Sequence, residues 1–138
     1  MNRYYNPVQT IEGAGCTAEL TGLLESMGLA RRNVLLLVWS EAVLDLPAFA
    51  SLSNAGFTIR GQVFRASNPT VEQLYETYQA TRDFAPEAVV AVGGGSIMDV
   101  GKSLCCLYGK ELSDTDALRR LIEEKDYGRP STRWIGVP

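Results

Sequence analysis

Two stretches of this chain are apolar without a break, Val34-Leu35-Leu36-Leu37-Val38 and Ala88-Val89-Val90-Ala91-Val92. Lack of alternation is the pattern of a parallel strand covered on both faces. Between and around them the period lengthens to that of a helix. Leu20, Leu23, Leu24 and Met27 fall on one helical face, with Thr17 at the capping position and Gly28 at the close. Pro47 sits at a favoured first-turn position of a second helix that Gly56 ends. Thr70 opens a third, with Gln73 three residues on to complete a capping box, and this helix runs to about Phe84 before Pro86. Thr58 to Phe64 reads as a strand, Asn2 to Tyr5 as a short first strand, Asp114 to Glu124 as a last helix and Arg133 to Val137 as a last strand. Strands alternating with helices predict an α/β fold, a parallel sheet with helices on both faces joined by right-handed crossovers. Residues 1–138 are expected to form one domain.

The chemistry concentrates after the second apolar run. Gly93-Gly94-Gly95-Ser96-Ile97-Met98-Asp99-Val100-Gly101-Lys102 follows it directly and reads as a glycine turn and a helix beginning at Ser96, with Ser96 as its cap. Such a turn binds phosphate, because bare backbone lets the anion approach and the helix dipole favours it. Two better-known phosphate loops fit poorly. The third position after Gly95 is Met98, which departs from the dinucleotide fingerprint, and five residues rather than four separate Gly95 from Gly101-Lys102-Ser103, which departs from a P-loop. In open parallel sheets ligands gather at the carboxyl ends of the strands. Ser40, Asn68 and the glycine turn each follow a predicted strand and so share that edge.

The string from Gly93 to Lys102 resembles the GGGSxxDxxK signature of the iron-containing (group III) alcohol dehydrogenases, relatives of the glycerol dehydrogenase and dehydroquinate synthase folds. Asn68-Pro69-Thr70 is similar to that family's Asn-Pro-Thr turn, and Glu12-Gly13-Ala14-Gly15 stands in the place of its Phe-Gly-x-Gly turn. The resemblance implies a Rossmann-like N-terminal domain in which Gly93, Gly94, Gly95 and Ser96 hold the pyrophosphate of NAD or NADP. It also implies that Asp99 lies by the nicotinamide ribose and that Asn68 lines the cofactor cleft. The implied reaction is hydride transfer between nicotinamide and a primary alcohol or aldehyde, with Fe2+ or Zn2+ as Lewis acid, in a parent whose candidate assembly is a homodimer. In the family one Asp and three His on a separate helical domain hold that metal. This chain has no histidine, and the resemblance therefore casts it as the cofactor domain alone, expected to be inactive by itself. Ser40 stands where NAD-dependent members carry Asp, so NADP(H) is the expected preference, with Arg65 as a candidate for added charge. Gly101 replaces the usual small Ala, at an expected cost of about 1 kcal/mol of helix stability.

Composition acts mainly by exclusion. Thirteen basic residues face 16 acidic ones for a net charge of −3, and the only basic clusters are Arg31-Arg32 and Arg119-Arg120, so nothing points to nucleic acid. The longest apolar stretch, Val34 to Trp39, cannot span a bilayer, and Met1 to Asn6 lacks a signal-peptide core, which makes the cytoplasm the expected location. The absence of histidine excludes Ser/His acyl transfer and argues against a transition-metal site on this chain. Cys16, Cys105 and Cys106 form neither a disulfide ladder nor a zinc pattern and read as small apolar residues.

Each candidate has a structural alternative. The glycines can serve only to pack a helix closely on a strand, Asp99 can be the capping-box partner of Ser96, Lys102 a solvated helix lysine rather than a phosphate ligand, and Asn68 an ordinary turn residue. Tyr75 and Tyr78 read as packing residues. A P-loop-like NTPase fragment and a non-catalytic nucleotide-binding module are the rival functional classes.

Overall fold

β1 (Asn33–Val38) is the strand around which the molecule is built: from Val34 onward every residue is buried, because it is flanked by strands on both sides and by helices above and below. A computed structural model describes residues 19–65, 68–124, 130 and 132–137. The predicted strand Asn2 to Tyr5, the cap Thr17, the turn Glu12-Gly13-Ala14-Gly15 and Cys16 lie outside these residues. In chain order the other elements are α1 (Leu20–Ser26) before β1, then a 3₁₀ turn (Glu41–Asp45), α2 (Pro47–Asn54), β2 (Thr58–Val63), α3 (Val71–Arg82), β3 (Ala88–Val92), α4 (Gly95–Leu107), α5 (Thr115–Glu124) and β4 (Arg133–Val137). The sheet order is β2-β1-β3-β4, all parallel. The expected α/β architecture is therefore what the chain adopts.

Alternation along β1 divides the core in two. Leu35 and Leu37 join Val89 and Ala91 of β3 under α3, α4 and α5. Val34, Leu36 and Val38 join Ala88, Val90 and Val92 under α1, α2 and the 3₁₀ turn. Period two is thus present in the contacts although both faces are apolar, and each such leucine or valine contributes about 1.5 to 3 kcal/mol by leaving water.

The element ends follow their local chemistry. Thr70 accepts the Gln73 N–H at 3.1 Å while the Gln73 side chain accepts the Thr70 N–H at 2.9 Å, so the capping box is complete. Asp114 does for α5 what Thr70 does for α3, its carboxylate accepting the Ala117 N–H at 2.7 Å. α3 ends at Arg82, two residues short of the expected Phe84.

Tyr75 and Tyr78 are buried, as expected of packing residues, and their hydroxyls also have work the sequence did not announce. Tyr78 donates to the Lys110 carbonyl and accepts the Leu112 N–H, and Tyr75 donates to the Leu112 carbonyl. These bonds tie the α4–α5 connection to α3. At the amino edge of the sheet Glu87 accepts the N–H groups of Arg31 (2.8 Å) and Asn33 (3.2 Å), which closes the turn that enters β1.

Candidate functional site: the carboxyl edge of β1 and β3

Sheet order changes direction between β1 and β3: the chain passes from β1 outward to β2, then returns to place β3 on the other side of β1. The crevice at such a switch is where a ligand fits in an open parallel sheet. Val38 pairs with Val92, so the residues leaving the two strands, Trp39-Ser40 and Gly93-Gly94, lie side by side at that crevice.

Gly93 is where the backbone turns. Its φ is +142°, and a β-carbon there would meet Trp39 Cε3 at 3.1 Å and Ile97 Cδ1 at 3.4 Å, so both the backbone and the space require glycine. Its N–H donates to the Val137 carbonyl at 3.0 Å, fastening the turn to β4. Gly94 and Gly95 are different: a β-carbon on either would project into open space, with nothing within 4 Å. The cradle in front of α4 is therefore unobstructed. The first-turn N–H groups of α4 have no intrahelical acceptor, the positive end of its dipole points the same way, and its cap residue supplies no side-chain hydrogen bond. These residues fit a phosphate group.

α4 begins at Gly95 and its N-cap is Gly94, in extended conformation (φ −78°, ψ −175°), not Ser96. The left-handed turn at Gly93 leaves Gly94 already aimed along the helix, so the helix starts before the serine. Ser96 is the second helical residue, and Asp99 is consequently too far along to be a capping-box partner, since that pairing joins the cap to the third helical residue.

Asp99 instead lines a cleft of about 180 Å³ with Ser103, Pro69 and Thr70. This cleft brings the start of α3, just after the exposed Asn68, to the flank of α4. Lys102 is the eighth residue of α4, about 10 Å along the axis from Gly95, and its ammonium rests 4.6 Å from the centre of the Trp134 ring. That position is unlike a P-loop lysine. Ser40 Oγ accepts the Ala42 N–H at 3.3 Å and so caps the 3₁₀ turn, a local role the sequence reading did not assign. Arg65 is exposed just beyond β2. Trp39, half exposed against Gly93, is a member of the site that sequence reading missed, because it continued an apolar run and was counted with the strand.

A larger cavity, about 540 Å³, lies at the opposite, amino edge of the sheet among Arg31, Arg82, Arg133 and Glu87. Burial pushes the Glu87 carboxyl up, but the N–H groups of Asn33, Arg31 and Ala30 outweigh it and hold the group below its ordinary range. Burial pushes the Cys105 thiol well up and the half-buried Cys106 thiol up as well, in keeping with cysteines that pack rather than react. Among the described residues no three of His, Cys, Asp and Glu cluster to hold a metal ion, and none of the helices there is long and apolar enough to cross a membrane.

The family model for iron-containing alcohol dehydrogenase matches residues 7–138. The chain belongs to that family. Solved structures of the same fold include the iron-containing alcohol dehydrogenase of Thermococcus thioreducens, with 26% identity over 77% of this chain and 28% of that one at a TM-score of 0.64. Sulfoacetaldehyde reductase of Bifidobacterium kashiwanohense, solved in complex with NAD+, shares 24% identity over 88% of this chain and 31% of its own at a TM-score of 0.67. NADH-dependent butanol dehydrogenase A of Thermotoga maritima shares 20% over 83% and 29%, at 0.65. The chain spans about three tenths of the length of these structures. No curated protein matches it significantly. The iron-containing alcohol dehydrogenase fold thus accounts for the parallel sheet.

Proposed function

We propose that this chain is the nicotinamide-dinucleotide-binding part of a metal-dependent alcohol dehydrogenase or aldehyde reductase. The observation that carries the reading is the open cradle: Gly94 and Gly95 present bare backbone to empty space at the start of α4, at the switch point of a parallel sheet. Gly94, Gly95 and Ser96 then bind the pyrophosphate, and the cleft containing Asp99, beside the turn that carries Asn68, takes the nicotinamide riboside. The bound nicotinamide supplies hydride transfer to or from an alcohol or aldehyde carbon. The chain's own residues bind and orient it.

The residues present do not fit the family's iron or zinc. The sequence contains no histidine and the described residues form no ligand cluster, so no step through a metal is assigned to them. We place the metal-binding helical domain outside these 138 residues, consistent with a chain spanning three tenths of its structural relatives. Purified residues 1–138 are accordingly expected to oxidise no alcohol with NAD+ or NADP+, whether or not Fe2+ or Zn2+ is added. Metal-dependent turnover that survives a control for host enzymes would contradict this.

Ser40 supports NADP(H) as the preferred cofactor. A carboxylate at this position repels the 2′-phosphate of NADP, whereas the Ser40 hydroxyl accepts one bond from Ala42 and keeps its own proton to donate. Ser40→Asp is expected to shift preference toward NAD(H) by about 1 to 3 kcal/mol, the scale of one close charge interaction. Calorimetric titration of the chain with NADP+ and NAD+ tests both statements: tighter NAD+ binding by the wild type removes Ser40 as the selector, and binding of neither removes the proposed function.

A further inference from the structure

Two large apolar side chains are left exposed among the described residues, Trp39 at 49% and Leu46 at 47%. Both fall in the segment that leaves the carboxyl end of β1. Leu46 begins α2. Trp39 is more specific in its placement. Strand register sets it beside Gly93, and its Cε3 edge approaches the glycine so closely that a β-carbon would be 3.1 Å away. One part of the indole is therefore seated on the turn and the rest faces solvent at the crevice. The glycine that packing against Trp39 demands is the first residue of the phosphate cradle.

A dinucleotide with its pyrophosphate at Gly94 and Gly95 must carry its adenosine half toward the end of the neighbouring strand, where the ribose-reading position lies. That strand is β1, and that position is Ser40. The adenosine therefore passes over Trp39. An exposed indole has an extended apolar π face, and a purine covers such a face well.

We propose that Trp39 is the adenine platform of this site: its indole takes the base by stacking and sets affinity for the adenosine half of the dinucleotide, while Ser40 beside it reads the ribose. This rests on the proposed function and adds to it the residue that grips the adenosine. It also explains why a bulky aromatic is placed in water at the lip of a sheet whose other large apolar residues are buried or half-buried.

The test is binding of ADP-ribose and of nicotinamide mononucleotide to the 138-residue chain, measured by calorimetry for wild type, Trp39→Phe, Trp39→Leu and Trp39→Ala, with circular dichroism confirming the fold of each. Leucine retains apolar bulk against Gly93 without a π face, and phenylalanine retains the face. ADP-ribose is expected to bind Trp39→Ala and Trp39→Leu roughly 5- to 30-fold more weakly than wild type, with Trp39→Phe within about 3-fold, the range that base–aromatic stacking covers. Nicotinamide mononucleotide affinity is expected not to change across the series. ADP-ribose is also expected to quench wild-type indole fluorescence, and Trp39→Phe, which retains Trp134, to lose that quenching. Wild-type affinity in Trp39→Leu, or an equal loss for nicotinamide mononucleotide, would overturn the platform and leave the dinucleotide site standing. Failure of the folded wild type to bind ADP-ribose, NAD+ or NADP+ would overturn the proposed function itself.

Discussion

The indole of Trp134 lies against the bare Cα of Gly101: a β-carbon on this helical glycine would sit 3.1 Å from Trp134 Nε1 and 2.9 Å from the Ala91 β-carbon. Gly136 completes the seat, since a β-carbon there would come within 2.6 Å of Trp134 Cη2. Two glycines and one small residue thus let α4 approach β3 and β4 closely with a large ring between them. Lys102 closes the ring from above. The helix-propensity cost expected of Gly101 is real, but the close approach offsets it. The buried Trp134 Nε1 has no hydrogen-bond partner, so the ring is held by shape rather than by its polar atom.

Gly101→Ala is therefore expected to destabilise the protein even though alanine is the better helix former. Overpacking costs about 1 to 3 kcal/mol and the propensity gain returns up to about 1 kcal/mol. Urea unfolding measures the difference, and a stabilised Gly101→Ala would show that the contact with Trp134 and Ala91 relaxes freely.

The three turn glycines should separate fold from binding. Gly94→Val and Gly95→Val place a branched side chain in the open cradle, so dinucleotide binding is expected to fall below detection, while the fold loses about 1 kcal/mol from weaker capping at Gly94 and little at Gly95, where valine is no worse a helix former than glycine. Gly93→Val forces both φ = +142° and the Trp39 contact and is expected to lower the thermal midpoint most. Parallel melting curves and titrations of the three variants check the ranking.

Tyr78→Phe removes an acceptor from the buried Leu112 N–H and a donor from the Lys110 carbonyl. Stranding such groups costs about 1 to 3 kcal/mol, and hydrogen exchange in residues 109–113 should accelerate before that of β1. Uniform exchange in both regions would contradict the pinning role.

Glu87 gives a pH dependence of fixed sign. Its carboxyl is held below the ordinary value of 4.5 in the folded chain, so its contribution to stability is fully present above that value and is lost as pH falls through the lower folded value. Glu87→Gln should flatten the acid limb of a stability–pH curve. An unchanged limb would place the acid sensitivity elsewhere.

Much of this was legible in the chain itself, for a physical reason that differs by element. β1 and β3 declared themselves because burial on both faces leaves no polar position, and Thr70 with Gln73 because a capping box is local. Gly93 to Gly95 were legible as a turn for the same reason. The expected start of α4 lies one residue late and its expected cap two, since serine outranks glycine as a cap only where the backbone lets it reach that position, and the left-handed φ at Gly93 decides otherwise. Trp39 was hidden by an apolar run whose last member leaves the sheet. The Gly101–Trp134 contact joins residues far apart in sequence, and no local rule signals it.

If the turn between β3 and α4 holds the pyrophosphate of a nicotinamide dinucleotide, its amides must respond to the ligand. Backbone amide resonances followed during titration of the isotopically labelled chain with NADP+ and then NAD+ test it most directly. Saturable shifts are expected to be largest at Gly94, Gly95 and Ser96, to spread to Trp39 and Ser40, and to leave the arginine-lined cavity at Arg31, Arg82 and Arg133 unmoved. Saturable shifts centred on that opposite edge, with the glycine amides unperturbed, would contradict it.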